Sequence, residues 1–213
     1  MTEPRILPLD TAAPDKAIIA QATAVLEAGG LVVAPTETRY GLLARADSGE
    51  SLGKLYDLKG RPVNLPTALF VKSIEDLAQF GRMSPIARRL AERFLPGPMT
   101  LVLNAVRDLG APLVVNDKIG LRVSPAPVIN MLIEKADFAV TATSANPSGG
   151  GEFQTVAEIA DAFGERVELY LDGGRLSGPV STVIDVTGES PVVLREGAVD
   201  RAEIGAILKN QLI

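Results

Sequence analysis

Four short stretches of the chain gather residues able to do chemistry, and they must do it without histidine or cysteine, since the chain has neither. Pro35-Thr36-Glu37-Thr38-Arg39-Tyr40-Gly41 offers two hydroxyls, a carboxylate, a guanidinium and a phenol. It reads either as the lining of a pocket for a small polar ligand or as a turn closed by its own hydrogen bonds. Lys59-Gly60-Arg61-Pro62 sets a point charge and a planar fork on either side of a glycine, a combination suited to phosphate or carboxylate. The same residues read equally well as a helix C-terminus, with a cation in the last turn, glycine just past it and proline soon after. Thr141 to Gly151 is a run of small hydroxyl residues and glycines around Ser144-Ala145-Asn146. It could present amide and hydroxyl donors to an anion, or be a surface loop. The last stretch combines Asp172-Gly173-Gly174, Ser181-Thr182 and Arg195-Glu196-Gly197. Asp172 could help hold a metal, but an Asp-Gly turn is the better reading of that pair. Arg122 adds a further anion partner.

The absences narrow the chemistry. Without histidine there is no Ser-His-Asp triad and no imidazole-based zinc site. Without cysteine there is no disulfide and no thiolate. No G-x-x-x-x-G-K-[ST] loop and no G-x-G-x-x-G fingerprint occurs. The net charge of −5 argues against broad nucleic-acid binding, which needs a basic surface, though a local basic cleft is compatible with it. The first ten residues hold no apolar signal segment, and no apolar run approaches a membrane span. The expectation is a cytoplasmic enzyme whose catalysis rests on lysine, arginine, hydroxyls, backbone amides, an oxygen-bound metal or the substrate itself.

These residues need a scaffold. The 213 residues show no linker and no repeat, so one domain over 1–213 is expected. A helix is predicted from about Pro14 to Ala28, ended by Gly29-Gly30, followed by a buried strand Leu31–Ala34. A short helix carrying Leu52, Leu55 and Leu58 runs into Lys59. Strands are predicted at Thr67–Val71, Met99–Val106, Ile119–Val123, Phe138–Ala142, Val167–Leu171, Thr182–Val186 and Val192–Leu194. Ser73 and Ser84 read as helix N-caps, the latter with Pro85 at the first helical position. Ile86, Leu90 and Phe94 make the core stripe of that helix. Another helix lies near Val128–Lys135, Thr155 with Glu158 forms a capping box for one through Phe163, and Asp200 with Glu203 caps the last. Strands and helices interleave irregularly. The predicted fold is α+β, a three-layer α/β/α arrangement around a mixed, twisted, open sheet. In such sheets ligands gather past the strand ends, where the four polar stretches fall.

In order along the chain, PTETRYGL (35–42), LYDLKGRP (55–62), FLPGPMTLVL (94–103), GLRV (120–123), TSANPSG (143–149), DGG (172–174), STVIDV (181–186) and LREGAV (194–199) resemble the motifs of the YrdC-type threonylcarbamoyl-AMP synthase family. The resemblance covers about residues 16–199, with the catalytic domain alone. The family's KxR…SxN signature is present as Lys59, Arg61, Ser144 and Asn146. The resemblance implies a nucleotidyltransferase acting on L-threonine, bicarbonate or CO₂, and ATP, with Mg²⁺. The product would be threonylcarbamoyl-AMP, passed to a downstream complex that modifies an adenosine in tRNA. It also implies roles. Lys59 and Arg61 are the expected catalytic residues, contacting phosphates and carbamate. Ser144, Asn146 and Arg195 complete ATP binding. Thr36 and Tyr40 shape the threonine pocket, and Arg122 and Ser181 take the threonine carboxylate. Some positions depart from the pattern. Arg39 stands where an aliphatic residue is usual, Leu43 where glycine is common and Phe70 where some relatives have histidine, and Ser124-Pro125 follows GLRV in place of a Pro-led turn. Two alternatives stand beside this reading: a paralogue of the same fold with another substrate, and an RNA-binding or ribosome-assembly module.

Overall fold

Alternation of apolar side chains along the strands decides which face of the sheet each helix covers. The computed structural model describes residues 3–208. Its strands are β1 (Ile6–Pro8), β2 (Val32–Pro35), β3 (Tyr40–Leu43), β4 (Ala68–Phe70), β5 (Met99–Asn104), β6 (Val114–Val115), β7 (Lys118–Arg122), β8 (Val140–Ser144), β9 (Leu169–Asp172), β10 (Thr182–Asp185) and β11 (Val192–Arg195). The helices are α1 (Lys16–Glu27), α2 (Gly49–Lys59), α3 (Leu77–Phe80), α4 (Pro85–Phe94), α5 (Pro127–Lys135), α6 (Val156–Phe163) and α7 (Arg201–Ile207), with a 3₁₀ turn at Gly164–Arg166. The sheet runs β1-β9-β2-β3-β8-β4-β7-β5-β10-β11, with β6 paired to β7. It is mixed: β4 and β7 are parallel, as are β5 and β10, while β3 and β8, β4 and β8, and β5 and β7 are antiparallel. The expected α+β fold with a mixed open sheet is the observed one.

The sheet has two halves with different coverings. In the β9-β2-β3 half, Val32, Ala34 and Leu43 pack under α1 and α5, while Val33, Tyr40 and Leu42 pack under α2 and α6. Helices therefore cover both faces. In the β4-β7-β5-β10 half, Leu69, Met99, Leu101, Leu103, Ile119, Leu121 and Ile184 pack against α3, α4 and α7. The alternate residues of the same strands, among them Ala68, Thr100, Val102, Lys118, Gly120 and Arg122, face a cleft instead.

Local signals explain most element ends. Asp15 caps α1, Ser84 caps α4 with Pro85 behind it, and Asp200 caps α7. Thr155 and Glu158 form both halves of the capping box on α6. Several expectations are corrected. Ser73 caps no helix directly: its hydroxyl accepts from the Asp76 amide in a turn before α3. Tyr40 to Leu43 is a strand, not the continuation of a polar loop, and Ser144 ends a strand rather than opening a loop. Strands β1 and β6 were not anticipated. Both are shorter than the window over which alternation can be read. The β6–β7 hairpin is made by Asn116 and Asp117, both at positive φ, the two-residue turn whose twist matches paired strands.

Candidate active site

The helix-end reading of Lys59-Gly60-Arg61 and its anion-site reading turn out to be compatible. Gly60 sits at φ 57° as the C-cap of α2, and the Arg61 amide donates to the Tyr56 carbonyl. No protein atom lies near the place a Gly60 Cβ would occupy, and the left-handed backbone angle by itself favours the glycine. The cap turns the two cations in different directions. Lys59 points inward and is only 3% exposed. Its Nζ donates to the carbonyl oxygens of Ser144 at 2.5 Å and Asn146 at 2.7 Å, and its own carbonyl accepts from the Ser148 amide at 2.8 Å. Burial, then the neighbouring Arg61 charge, lowers the Lys59 amine to about 7. Arg61 points to the cleft, steadied by the Leu65 and Pro66 carbonyls at 3.1 and 2.8 Å.

The cleft is a cavity of about 280 Å³. Thr36, Tyr40, Arg61, Arg122, Ser144, Ser181 and Arg195, all singled out in the sequence, line it together. Asn146 lines an adjoining cavity of about 150 Å³ that shares Arg39, Tyr40, Ser144 and Arg195. Lys59 lines neither among the described residues. Its Nζ holds the backbone of the 144–146 segment.

The electrostatics favour an anion. Arg39, Arg61, Lys118, Arg122 and Arg195 contribute to the larger cavity, and none of its lining residues is an aspartate or glutamate. Three of these cations have acidic partners: Arg39 with Glu152, Lys118 with Asp185 and Arg122 with Glu37. Arg61 and Arg195 are held by neutral oxygens. Arg195 donates from Nε and Nη2 to the Ser181 carbonyl at 3.0 and 2.8 Å, and from Nη2 to the Ser181 hydroxyl at 2.8 Å. Burial lowers the Arg195 pKa, and the charges of Arg122 and Arg61 push the same way. Their mutual repulsion is relieved by a bound anion.

The end of the cleft around Arg122 has a defined geometry. Arg122, its side chain 9% exposed, gives Nη2 to Glu37 Oε1 at 2.5 Å and to Thr38 Oγ1 at 2.9 Å. Its Nε is buried without a partner among the described residues. Ser124 donates to the other Glu37 oxygen at 2.6 Å, so Glu37 ties the β2–β3 turn to the end of β7. Thr36 spends its hydroxyl inside that turn, donating to the Arg39 carbonyl at 2.6 Å and accepting from the Thr38 and Arg39 amides. The Tyr40 phenol accepts from the Gly173 amide at 3.0 Å and has one hydrogen for two acceptors, the Gly174 carbonyl at 2.6 Å and Asp172 Oδ1 at 3.3 Å. The shorter contact takes it. Burial foremost raises the phenol to about 12, so it stays protonated. Asp172 Oδ1 accepts from the Gly174 amide at 2.9 Å, the turn anticipated for Asp-Gly.

Lys118 and Thr100 were not among the expected site residues. The signal for Lys118 was the Asn116-Asp117 turn, which fixes the parity of β7. Once Arg122 faces the cleft, Gly120 and Lys118 must as well. Among the described residues no group of three or more aspartates or glutamates converges, and the hydroxyls and guanidiniums of the cleft are not a magnesium donor set.

The positively charged cleft thus lies on the uncovered half of a mixed sheet. The particular family follows from comparison: the chain belongs to the Sua5/YciO/YrdC family, whose model, described as telomere recombination, matches residues 24–197. It is similar to the threonylcarbamoyl-AMP synthase of Pyrococcus abyssi, with 35% identity over 88% of this chain and 56% of that protein. The chain thus spans little more than half the length of that relative, and the same share of a Bacillus subtilis synthase that is 33% identical. Among solved structures, P. abyssi Sua5 complexed with L-threonine matches with a TM-score of 0.87 and 33% identity, over 96% of this chain and 61% of that one. The crystal structure of Escherichia coli YciO matches with a TM-score of 0.85 and 26% identity, over 96% and 100%. Among the described residues no helix is long and apolar enough to cross a membrane.

Proposed function

We propose that the chain is an L-threonylcarbamoyladenylate synthase, a nucleotidyltransferase that joins L-threonine, bicarbonate or CO₂, and ATP. The observation that carries this reading is the cleft in which Arg61 and Arg195 are held by neutral oxygens, with no ion pair among the described residues, beside the Ser144–Asn146 segment. The relatives named as synthases and the threonine bound to P. abyssi Sua5 support it.

The threonine amine adds to CO₂ and loses a proton, giving a carbamate; from bicarbonate, that proton leaves with the displaced hydroxide as water. A carbamate oxygen then attacks the α-phosphorus of ATP, the bond to the bridging oxygen breaks, and pyrophosphate departs. The carbamate is already anionic, so this step needs no strong base. Positioning and charge stabilisation suffice, which suits a site without histidine. In this reading Arg61 and Arg195 bind the phosphates, and the Ser144 and Asn146 side chains flank them. Arg122 receives the threonine carboxylate together with Ser181, a charge-assisted bond. Tyr40 and Thr36, whose hydroxyls are committed, shape the pocket by their surfaces. Lys59 acts as a positioning residue for the 144–146 backbone. Mg²⁺ is proposed to arrive on the nucleotide phosphates. The product would go to a downstream tRNA-modifying complex.

The test incubates the chain with ATP, Mg²⁺ and bicarbonate and measures pyrophosphate with and without L-threonine. Release that requires threonine, and falls about a hundredfold in Arg61→Ala, is the expected result. Release indifferent to threonine would assign the same fold to another substrate. RNA binding without any release would replace the enzyme reading altogether.

A further inference from the structure

Arg39, like Lys118, is a cleft cation that neither the phosphate contacts nor the amino-acid pocket of that reading employs. It lines both cavities, at the boundary between them, with a side chain 13% exposed. Nη1 donates to the Leu176 carbonyl at 2.9 Å and Nη2 to Glu152 Oε2 at 2.6 Å, while Nε is buried without a partner among the described residues. Its partner differs in kind from the rest of the site. The Glu152 side chain is 51% exposed and is the carboxylate in the lining of the smaller cavity, which Ser144, Asn146 and Arg195 also line. The Glu152 charge reaches Arg195 as well and raises its pKa against the larger effect of burial. Glu152 follows Gly149-Gly150-Gly151, and additions at Gly149 and Gly151 would meet no neighbouring atom. Packing on those glycines therefore does little to hold the carboxylate in place.

A half-exposed ion pair is weak, and a guanidinium fork binds a multiply charged phosphate more strongly than a single carboxylate. We infer that Arg39 is a further phosphate-binding residue of this cleft, and that Glu152 occupies its fork until a polyphosphate displaces it. The inference rests on the reading that a polyphosphate enters the cleft. Its consequence is a competition inside the protein: the Glu152 carboxylate lowers affinity for the ligand, and Arg39 raises it.

The test is calorimetric titration of inorganic tripolyphosphate into the chain, without threonine or bicarbonate, after thermal melting has shown each variant folded. Glu152→Gln tightens binding at least about fivefold, and Arg39→Leu weakens it by a similar factor, within the usual range of coupling between sites. Opposite signs are the signature. A purely structural latch would weaken binding in both variants, or leave both unchanged, and either result overturns the inference. Glu189→Gln, at an exposed position outside both cavities, controls for net charge; a gain equal to that of Glu152→Gln overturns it too. Failure of tripolyphosphate to bind any form also overturns the inference. Intact tripolyphosphate binding without threonine-dependent pyrophosphate release instead overturns the synthase reading alone.

Discussion

Lys59 couples the protonation of one amine to the backbone that shapes the cleft. A neutral amine has two hydrogens, which match its two carbonyl acceptors among the described residues, and its pKa near 7 leaves both forms accessible at neutral pH. The folded value lies below that of an unfolded lysine, about 10.4. Below pH 7 the amine is charged in both states, and the full cost of burying it is present. Between about 7 and 10.4 the unfolded chain binds the extra proton, so stability rises with pH. Denaturant unfolding across that interval should show wild type gaining up to about 1 kcal/mol per pH unit over Lys59→Met, whose orphaned carbonyls give only a constant offset. Parallel slopes would refute the shifted amine. Tyr40 makes a different prediction. Removing its hydroxyl strands the Gly173 amide and the Gly174 carbonyl, so Tyr40→Phe should lose about 1–3 kcal/mol and melt several degrees lower.

At the scale of elements, the cleft floor is a strand property. An added Cβ at Gly120 would lie 3.0 Å from Ala68 Cβ and 3.5 Å from Thr100 Cγ2, so the glycine keeps the middle of the floor flat. Gly120→Val is expected to weaken ATP binding about tenfold in a titration, more than it lowers the melting temperature, since the residue faces the cavity and not the helix-covered core. By contrast, Thr155→Ala removes the capping box of α6 and should lose about 1 kcal/mol of stability with pyrophosphate release unchanged. The caps at Ser84, Thr155 and Asp200 were legible because each acts within one turn of its own sequence. The core stripes of α1 and α4 were legible because they span several turns. The direction of Lys59 was not legible: it depends on where the 144–146 backbone, 85 residues away, returns to α2. For the same reason the pairing of Glu37 with Arg122 and Ser124 could not be read from a motif that looked like one polar loop. Site membership was largely legible from motif order, and site geometry was not.

For the whole molecule, charge is distributed against its net sign. A chain of −5 concentrates five cations on one cavity and none of its carboxylates in that lining. ATP binding should therefore weaken several-fold when ionic strength rises from about 0.05 to about 0.5 M, as the Debye length contracts to a few ångströms. Insensitivity to salt in an isothermal titration would mean that the guanidiniums are not the ligand's partners. The uncovered half of the sheet has a further consequence. Met99, Leu101 and Leu103 belong to the core, and Thr100 and Val102 belong to the cleft; Ile119 and Leu121 alternate in the same way with Lys118, Gly120 and Arg122. Stability and ligand choice are thus written on alternate letters of the same words. Substitution at the cleft-facing positions leaves the helix-covered core residues in place, so a lineage using this sheet can revise what it binds one residue at a time while the same core keeps it folded.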